Sequence, residues 1–521
     1  MIFGRRGRLA TFVFLFALGA ARPASATIRY RVSLDHPERH LFHVTMTVLV
    51  EGRELALAMP AWNALYRIRN FGDRVRGVKA ICASLTSVPL SVQRADRRDW
   101  HIASRGACAP GDHNTFVIDY AIFWDEPGPF NSQLDRGHAF VNFAEILMYL
   151  PRRRGEDVSV ELADLPEGWR VATSLAHGSR ENIFVASSYD ALADGPVEVG
   201  HFDEFSFESE GVPMHVAVDG KMGAADRLES GLQRITAYEL KLMGNPPFES
   251  PDRGYTFLIH LGPLPDIGGG GMEHRNSSAI AVSSADGIVE TAAHEFFHAW
   301  NVKRIRPHSL EPIDYSREQR TDALWFAEGV TSTYAAYALE RSGFWSKERF
   351  YGDLAAQIET LQSRPARLRQ SVEDSSRDTW LDGSVEYASS ARSISYYNKG
   401  QILGVILDLA IRDATDNRKS LDDVMHLMNR EYAAKGKYYD DSEGVRAAVE
   451  EVSGKSFADF FRRYVAGTDE IPYNDFLSIA GLELAPSAQK EGRPRFSIVE
   501  TKHPTERQLR IRNGVLTGVN E

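Results

Sequence analysis

Cysteine is scarce in this sequence: 521 residues carry only Cys82 and Cys108. They form no C-x-x-C pair, which excludes a cysteine-built zinc site of that type. Their separation of 26 is compatible with one loop-closing disulfide or with two buried thiols. An excess of positive charge is also lacking, since 60 Lys and Arg face 71 Asp and Glu for a net charge of -11. That balance argues against nucleic acid as a partner. Disorder-prone composition is missing as well: hydrophobic content of 43% and charged content of 25% belong to an ordinary globular protein. No internal repeat is visible.

Membrane-length apolar runs are absent too. The run "LATFVFLFALGAA" has 13 residues, too short to cross a bilayer. It follows the basic "MIFGRRGR" and precedes "ASA" (Ala24 to Ala26), the order of a signal peptide over residues 1–26. Loss of its four arginines would move the net charge from -11 to -15. The expectation is an exported protein, periplasmic or secreted, with no stable membrane span.

A chain of this length is expected to divide into about two to four domains. Residues 27–207 read as strands: "IRYRVSL", "HVTMTVLVEG", "TFVIDYAIF" and "VSVELADL" alternate apolar and polar residues and are broken by Pro, Gly, Asp and Asn. This predicts an antiparallel β domain. Helical spacing takes over in 208–480, in "ADRLESGLQRITAYELKLMG", "DALWFAEGVTSTYAAYALER" and "YNKGQILGVILDLAIRDAT", with one strand, "YTFLIHL", between. The fold class is therefore α+β. Residues 481–521 read as a turn-rich extension that either wraps the surface or hangs free.

Within the helical part, "TAAHEFFHAWNVKRIRP" places His294 and His298 four apart with Glu295 directly after the first. On a helix, residues i and i+4 share a face, so the two imidazoles can meet at one point, the geometry of H-E-x-x-H. The alternative is an amphipathic helix whose histidines are hydrogen-bonded or solvated. Zinc needs a third protein ligand and an open fourth position. Glu328 in "LWFAEGVTSTY" is the best candidate, because an acid among apolar and small residues is costly unless paired or metal-bound. Asp322 and Glu340 lie at the polar ends of the same segment.

Two further segments suit a peptidase. In "GGGGMEHRNSS" (268–278), Gly270, Gly271 and Met272 offer backbone that can approach a peptide closely, and Glu273 can face a cationic group. A flexible hairpin loop is the alternative. In "SISYYNKG" a tyrosine opens a helix, where it can hold a phenol over the metal or serve as a core aromatic.

Taken together, "HEFFHAWNVKRIRP", "WFAEGVTSTY", "GGGGMEH" and "YYNKG" resemble the glycyl aminopeptidase family of zinc metallopeptidases, relatives of aminopeptidase N. "YDALADGPVEVGHF" (189–202) resembles its linker into the catalytic domain, so the resemblance spans roughly 30–475. It implies a thermolysin-like catalytic domain and one zinc ion held by His294, His298 and Glu328, with Glu295 as general base. It also implies Tyr397 as the transition-state tyrosine, with Tyr396 as second candidate, and Glu273 as the reader of a free N-terminal amine. Too few residues follow Ala480 for the PDZ domain that many members carry, and no role for His274 follows. The expected function is removal of small N-terminal residues, Gly or Ala, from peptides. The alternatives are an endopeptidase on the same scaffold, or a peptide-binding, chaperone-like protein without turnover. Oligomeric state is not legible.

Overall fold

The computed structural model describes residues 28–520, apart from 64–65, 84–86, 105–107, 109–112, 222–224, 245–253, 263–268, 382–387 and 488–494. The expected signal peptide lies outside the described residues.

The chain is α+β, β-rich at its N-terminal end and helical after it. In the first part, Leu41–Glu51 pairs antiparallel with His113–Phe123 along its whole length. Its residues alternate between core and solvent, as the period-2 pattern requires. These two strands are central to an eight-stranded sheet. That sheet is not wholly antiparallel, for Ile28–Ser33 pairs parallel with Val158–Ala163. A parallel pair needs a long connection, which sequence alternation cannot reveal. Cys82 and Cys108 are bridged.

A four-stranded sheet follows, ordered Arg170–Thr173, Val197–Gly200, His138–Val141, Gln133–Leu134. Beside it lies a mixed five-stranded sheet: Asp203–Ser209, Val212–Gly220, Tyr255–Leu261, Ser277–Val282 and, at the edge, Gly270–Glu273. The expected break at residue 207 therefore falls inside a strand. Asp203–Ser209 pairs with Val212–Gly220, which pairs in turn with Tyr255–Leu261. The second part is thus less purely helical than its sequence suggests.

Helices pack on that sheet around a second hydrophobic core that includes Phe257, Phe296, Trp300, Trp325 and Tyr334. Ala225–Met243 ends at Gly244, whose positive φ of 83° closes the helix. Tyr396–Thr415 runs through the middle and buries residues on nearly every side. The terminal segment is docked: Leu482–Pro486 and Phe496–Glu500 form a hairpin, and helix Glu506–Thr517 buries Ile511 and Val515. Its Thr505 and Gln508 form a capping box, a start signal hidden in an otherwise polar stretch. Among the described residues no helix is long and apolar enough to cross a membrane.

Candidate metal centre and active site

Helix Ala285–Phe297 begins where the Ser284 side chain accepts from Gly287 N at 3.1 Å, and it drives Ile288, Val289, Ala292, Ala293, Phe296 and Phe297 into the core. That burial leaves the His294 and His298 face turned towards the segment carrying Glu328. The segment is not the regular helix that its spacing suggests. Trp325–Val330 is a π-helical turn, widened by one residue, which then continues as helix Thr331–Arg341. The turn holds Glu328 at 3% exposure.

Three atoms converge: His294 Nε2 and His298 Nε2 are 3.0 Å apart, and Glu328 Oε2 lies 3.4 Å and 3.1 Å from them. The rings' other nitrogens settle the protons. His298 Nδ1 donates to Asn301 O at 2.6 Å. His294 Nδ1 faces Ser332 Oγ at 3.3 Å, whose own proton goes to Glu328 O at 3.0 Å. Each imidazole therefore spends its Nδ1 proton outward and turns an Nε2 lone pair inward, towards a carboxylate oxygen. Three acceptors cannot face one another unless positive charge sits among them. Two imidazoles and a carboxylate are a zinc donor set, and outward Nδ1 bonds are how such ligands are held. The residues fit the ion. Burial depresses the His298 imidazole, but Glu328 overrides it, to about 10. Burial likewise works against the Glu328 charge, and the facing histidines still hold its carboxyl below the usual range.

Asn301 links the end of the histidine helix to the segment that carries Glu328. Its carbonyl accepts a hydrogen bond from His298 Nδ1, while its amide donates to Phe326 O at 2.9 Å and Thr331 Oγ1 at 3.1 Å. It lies just beyond the helix and is fully buried. Glu295 is 5% exposed, and burial, reinforced by the Glu273 and Glu328 carboxylates, pushes its carboxyl well up. Glu273 stands on the edge strand rather than on a loop. It comes close enough that its carboxylate, that of Glu295 and one His298 nitrogen all lie within 4.8 Å of one another. Gly271 makes this possible, since a Cβ there would fall 2.3 Å from Glu295 Oε1. Gly270 and Met272 are its neighbours in the strand, and Met272 is buried.

The tyrosine helix is brought in by two more glycines. A Cβ on Gly329 would fall 2.4 Å from Gly400 Cα, and one on Gly400 2.4 Å from Trp325 O, so the helix and the π turn cross backbone to backbone. Tyr397 then lies with its ring 6.1 Å from that of His294 and with 42% of its surface exposed. Tyr396 packs its ring against that of Tyr397, centroids 4.7 Å apart, but is 6% exposed, with its hydroxyl 3.1 Å from that of Thr379. Asp322 is occupied by Arg377 at 2.7 Å.

Sequence reasoning did not find the anchor behind Glu273. Asp194, in the segment "YDALADGP", accepts from Lys303 Nζ at 2.8 Å, from Arg275 N at 2.9 Å and from His274 Nδ1 at 3.3 Å. One carboxylate thus ties the residue after Glu273 to the segment that follows the histidine helix. A lysine five residues beyond His298 and an aspartate in a turn were the only signals. A cavity of about 720 Å³ lies behind this anchor, lined by Trp62, Tyr66 and Asn142 of the β-rich part and by Glu273, His274 and Lys303. Among the described residues, His294, Glu295 and Glu328 do not line it, whereas Glu273 both lines it and clusters with Glu295 and His298.

Two family models match the chain. Residues 29–201 match the M61 peptidase N-terminal domain and 287–403 the M61 glycyl aminopeptidase. No curated protein sequence matches it. Among solved structures, an aminopeptidase N family protein from Idiomarina loihiensis is similar at 25% identity and a TM-score of 0.82, covering 89% of this chain and 80% of that one. An M1 zinc metallopeptidase from Deinococcus radiodurans is similar in fold at 13% identity and a TM-score of 0.51, covering 85% and 94%. With the matched segments taking in more than half of the sequence and His294 and His298 inside one of them, the chain belongs to the M61 glycyl aminopeptidase family and is a metallopeptidase.

Proposed function

We propose that the protein is an exported zinc aminopeptidase that removes small N-terminal residues from peptides. The observation that carries this reading is the meeting of two carboxylates, Glu273 and Glu295, beside the His294, His298 and Glu328 trio. The first suits a substrate amine and the second suits a water.

His294, His298 and Glu328 would hold the zinc, which when bound supplies Lewis acidity that polarises a carbonyl and lowers the pKa of water towards about 7. Glu295 takes the proton of the attacking water and returns it to the leaving amine. Its raised affinity for a proton suits the second half of that task. Tyr397 donates to the tetrahedral oxyanion, a contribution on the order of 3 kcal/mol by analogy with one oxyanion-hole donor. Glu273 pairs with the α-ammonium and so sets the cleavage point one residue in. Among the described residues no strand pairs with the outer side of the edge strand at Gly270, Gly271 and Met272, which suits an extended peptide. The preference for Gly rests on the family description.

Export is supported by the n-region, apolar run and "ASA" order of residues 1–26 and by the Cys82–Cys108 bridge, a bond that persists in oxidising compartments. A kinetic comparison of Gly, Ala, Leu and Arg arylamides with and without chelator tests the proposal. Hydrolysis should favour Gly and Ala, stop with chelator and return with zinc. Turnover that survives complete metal removal would overturn it.

A further inference from the structure

Where the four-stranded sheet meets the five-stranded one, a second set of ligand-type side chains closes on itself. His138 and Glu198 come from neighbouring strands of the first sheet, His138–Val141 and Val197–Gly200. His260 and Asp219 are register partners on the parallel strands Tyr255–Leu261 and Val212–Gly220 of the second. Glu198 spans the seam: Oε1 lies 2.9 Å from His138 Nδ1, and Oε2 lies 2.9 Å from His260 Nε2. Asp219 Oδ2 is 3.7 Å from the same His138 nitrogen. Glu198 is 2% exposed at its side chain, His138 12% and His260 16%. The Phe140 ring stands edge-on to His260 at 5.0 Å, within an apolar cluster that includes Phe202 and Leu258.

The proton count is the useful feature. His138 Nε2 faces Gln133 Oε1 at 3.2 Å. The Gln133 amide cannot turn round, because its nitrogen donates to Asp125 Oδ1 at 3.1 Å and to Asp135 Oδ2 at 3.4 Å. His138 Nε2 must therefore donate. A neutral His138 then turns its Nδ1 lone pair on the Glu198 carboxylate, two acceptors at hydrogen-bond distance. As at the catalytic trio, positive charge is required between them. One carrier is a second proton on His138. One proton, however, leaves a net negative charge on the pair of carboxylates, Glu198, which is buried, and Asp219, whose side chain is 38% exposed. A divalent ion with both imidazoles neutral leaves none.

We propose that His138, Glu198 and His260, with Asp219 in reach as a fourth donor, form a second metal site of zinc type that fastens the β-rich part to the catalytic sheet. One donor atom from each of the three lies within 4.8 Å of the others. Tetrahedral donors on zinc bonds of about 2.0–2.1 Å stand roughly 3.4 Å apart, so small side-chain shifts suffice. The Gln133 carbonyl on the outer nitrogen of His138 is the partner that fixes a ligating tautomer. The site contains no residue of the peptidase machinery, and its role is structural.

The test is zinc content after saturation and desalting, in wild type, Glu328→Ala, His260→Ala and the double variant. Two equivalents are expected in wild type and one in Glu328→Ala. His260→Ala should keep one equivalent together with chelator-sensitive peptidase activity, and the double variant should hold none. Glu328→Ala leaves the seam untouched, so folding of a seam variant is not needed for the first answer. If wild type takes one equivalent and Glu328→Ala none, the charge at the seam is a proton and the proposal falls. It falls equally if zinc in Glu328→Ala survives the added His260→Ala change. Failure of the catalytic reading looks different, since Glu328→Ala would then stay active.

Discussion

Gly271 lies against Glu295 so closely that a Cβ on the glycine would stand 2.3 Å from the carboxylate Oε1 and Cγ. The edge strand and the candidate base thus share a contact with no room for a side chain between them. Gly271→Ala should therefore push Glu295 aside while leaving His294, His298 and Glu328 in place. A base misplaced by about 1 Å costs on the order of 100-fold in turnover. The expected result is a kcat lowered by about that factor with zinc content unchanged. Unchanged kcat would mean that Glu295 moves freely and is not held for catalysis by the strand.

Glu295→Gln should keep its zinc and lose about 100- to 10,000-fold in kcat, because an amide cannot take a proton from water. Metal analysis beside the rate decides the role. Loss of metal would make Glu295 a ligand, and wild-type turnover would remove it from the chemistry.

Glu328→Ala should lose the catalytic metal and all activity, whereas Glu340→Ala, further along the same helix, should keep both. Removing one of three ligands leaves two imidazoles, too few to hold zinc tightly. An active Glu328→Ala protein with full metal content would refute the ligand set.

These residues differ in how visible they were before the fold was known. His294 and Glu295 lie in the last turn of one regular helix and His298 caps its end with helical backbone angles, so their spacing alone gave the geometry. Glu328 stood out because a charge in an apolar run needs a reason, although the π turn that aims it left no periodic trace. Glu273 was legible in type but not as a strand residue, since glycines weaken the strand pattern in which it sits. Asn301 and Asp194 were invisible as to role, because their partners are contributed by segments 25 and 109 positions away. The five-stranded sheet was missed for a related reason: its outer strand Asp203–Ser209 was counted with the β-rich part, and only pairing assigns it elsewhere.

Asp194→Asn tests the anchor behind Glu273. Burial disfavours the Asp194 charge, yet Lys303 and His274 hold its carboxyl well below the usual carboxylate range. A depressed folded pKa stabilises above the unfolded value of about 3.9, and this is lost as pH falls through the folded value. The variant should melt below wild type at pH 7, by the equivalent of about 1–3 kcal/mol. The gap should narrow as pH drops under about 4. Thermal melts across that range check the sign, and a gap that widens on acidification would contradict it.

The central claim is that Glu273 reads a free amine beside the metal centre, making the enzyme an aminopeptidase. The direct measurement is kcat/KM for a glycyl peptide and its N-acetylated form, in wild type and in Glu273→Ala. Loss of a partly buried ion pair should cost the free-amine substrate roughly 30- to 1000-fold. The acetylated peptide has no ammonium to pair, so it should be poor in wild type and no worse in the variant. If wild type cleaves both forms equally, or the variant loses both alike, Glu273 does not recognise the amine and the enzyme is an endopeptidase on the same scaffold.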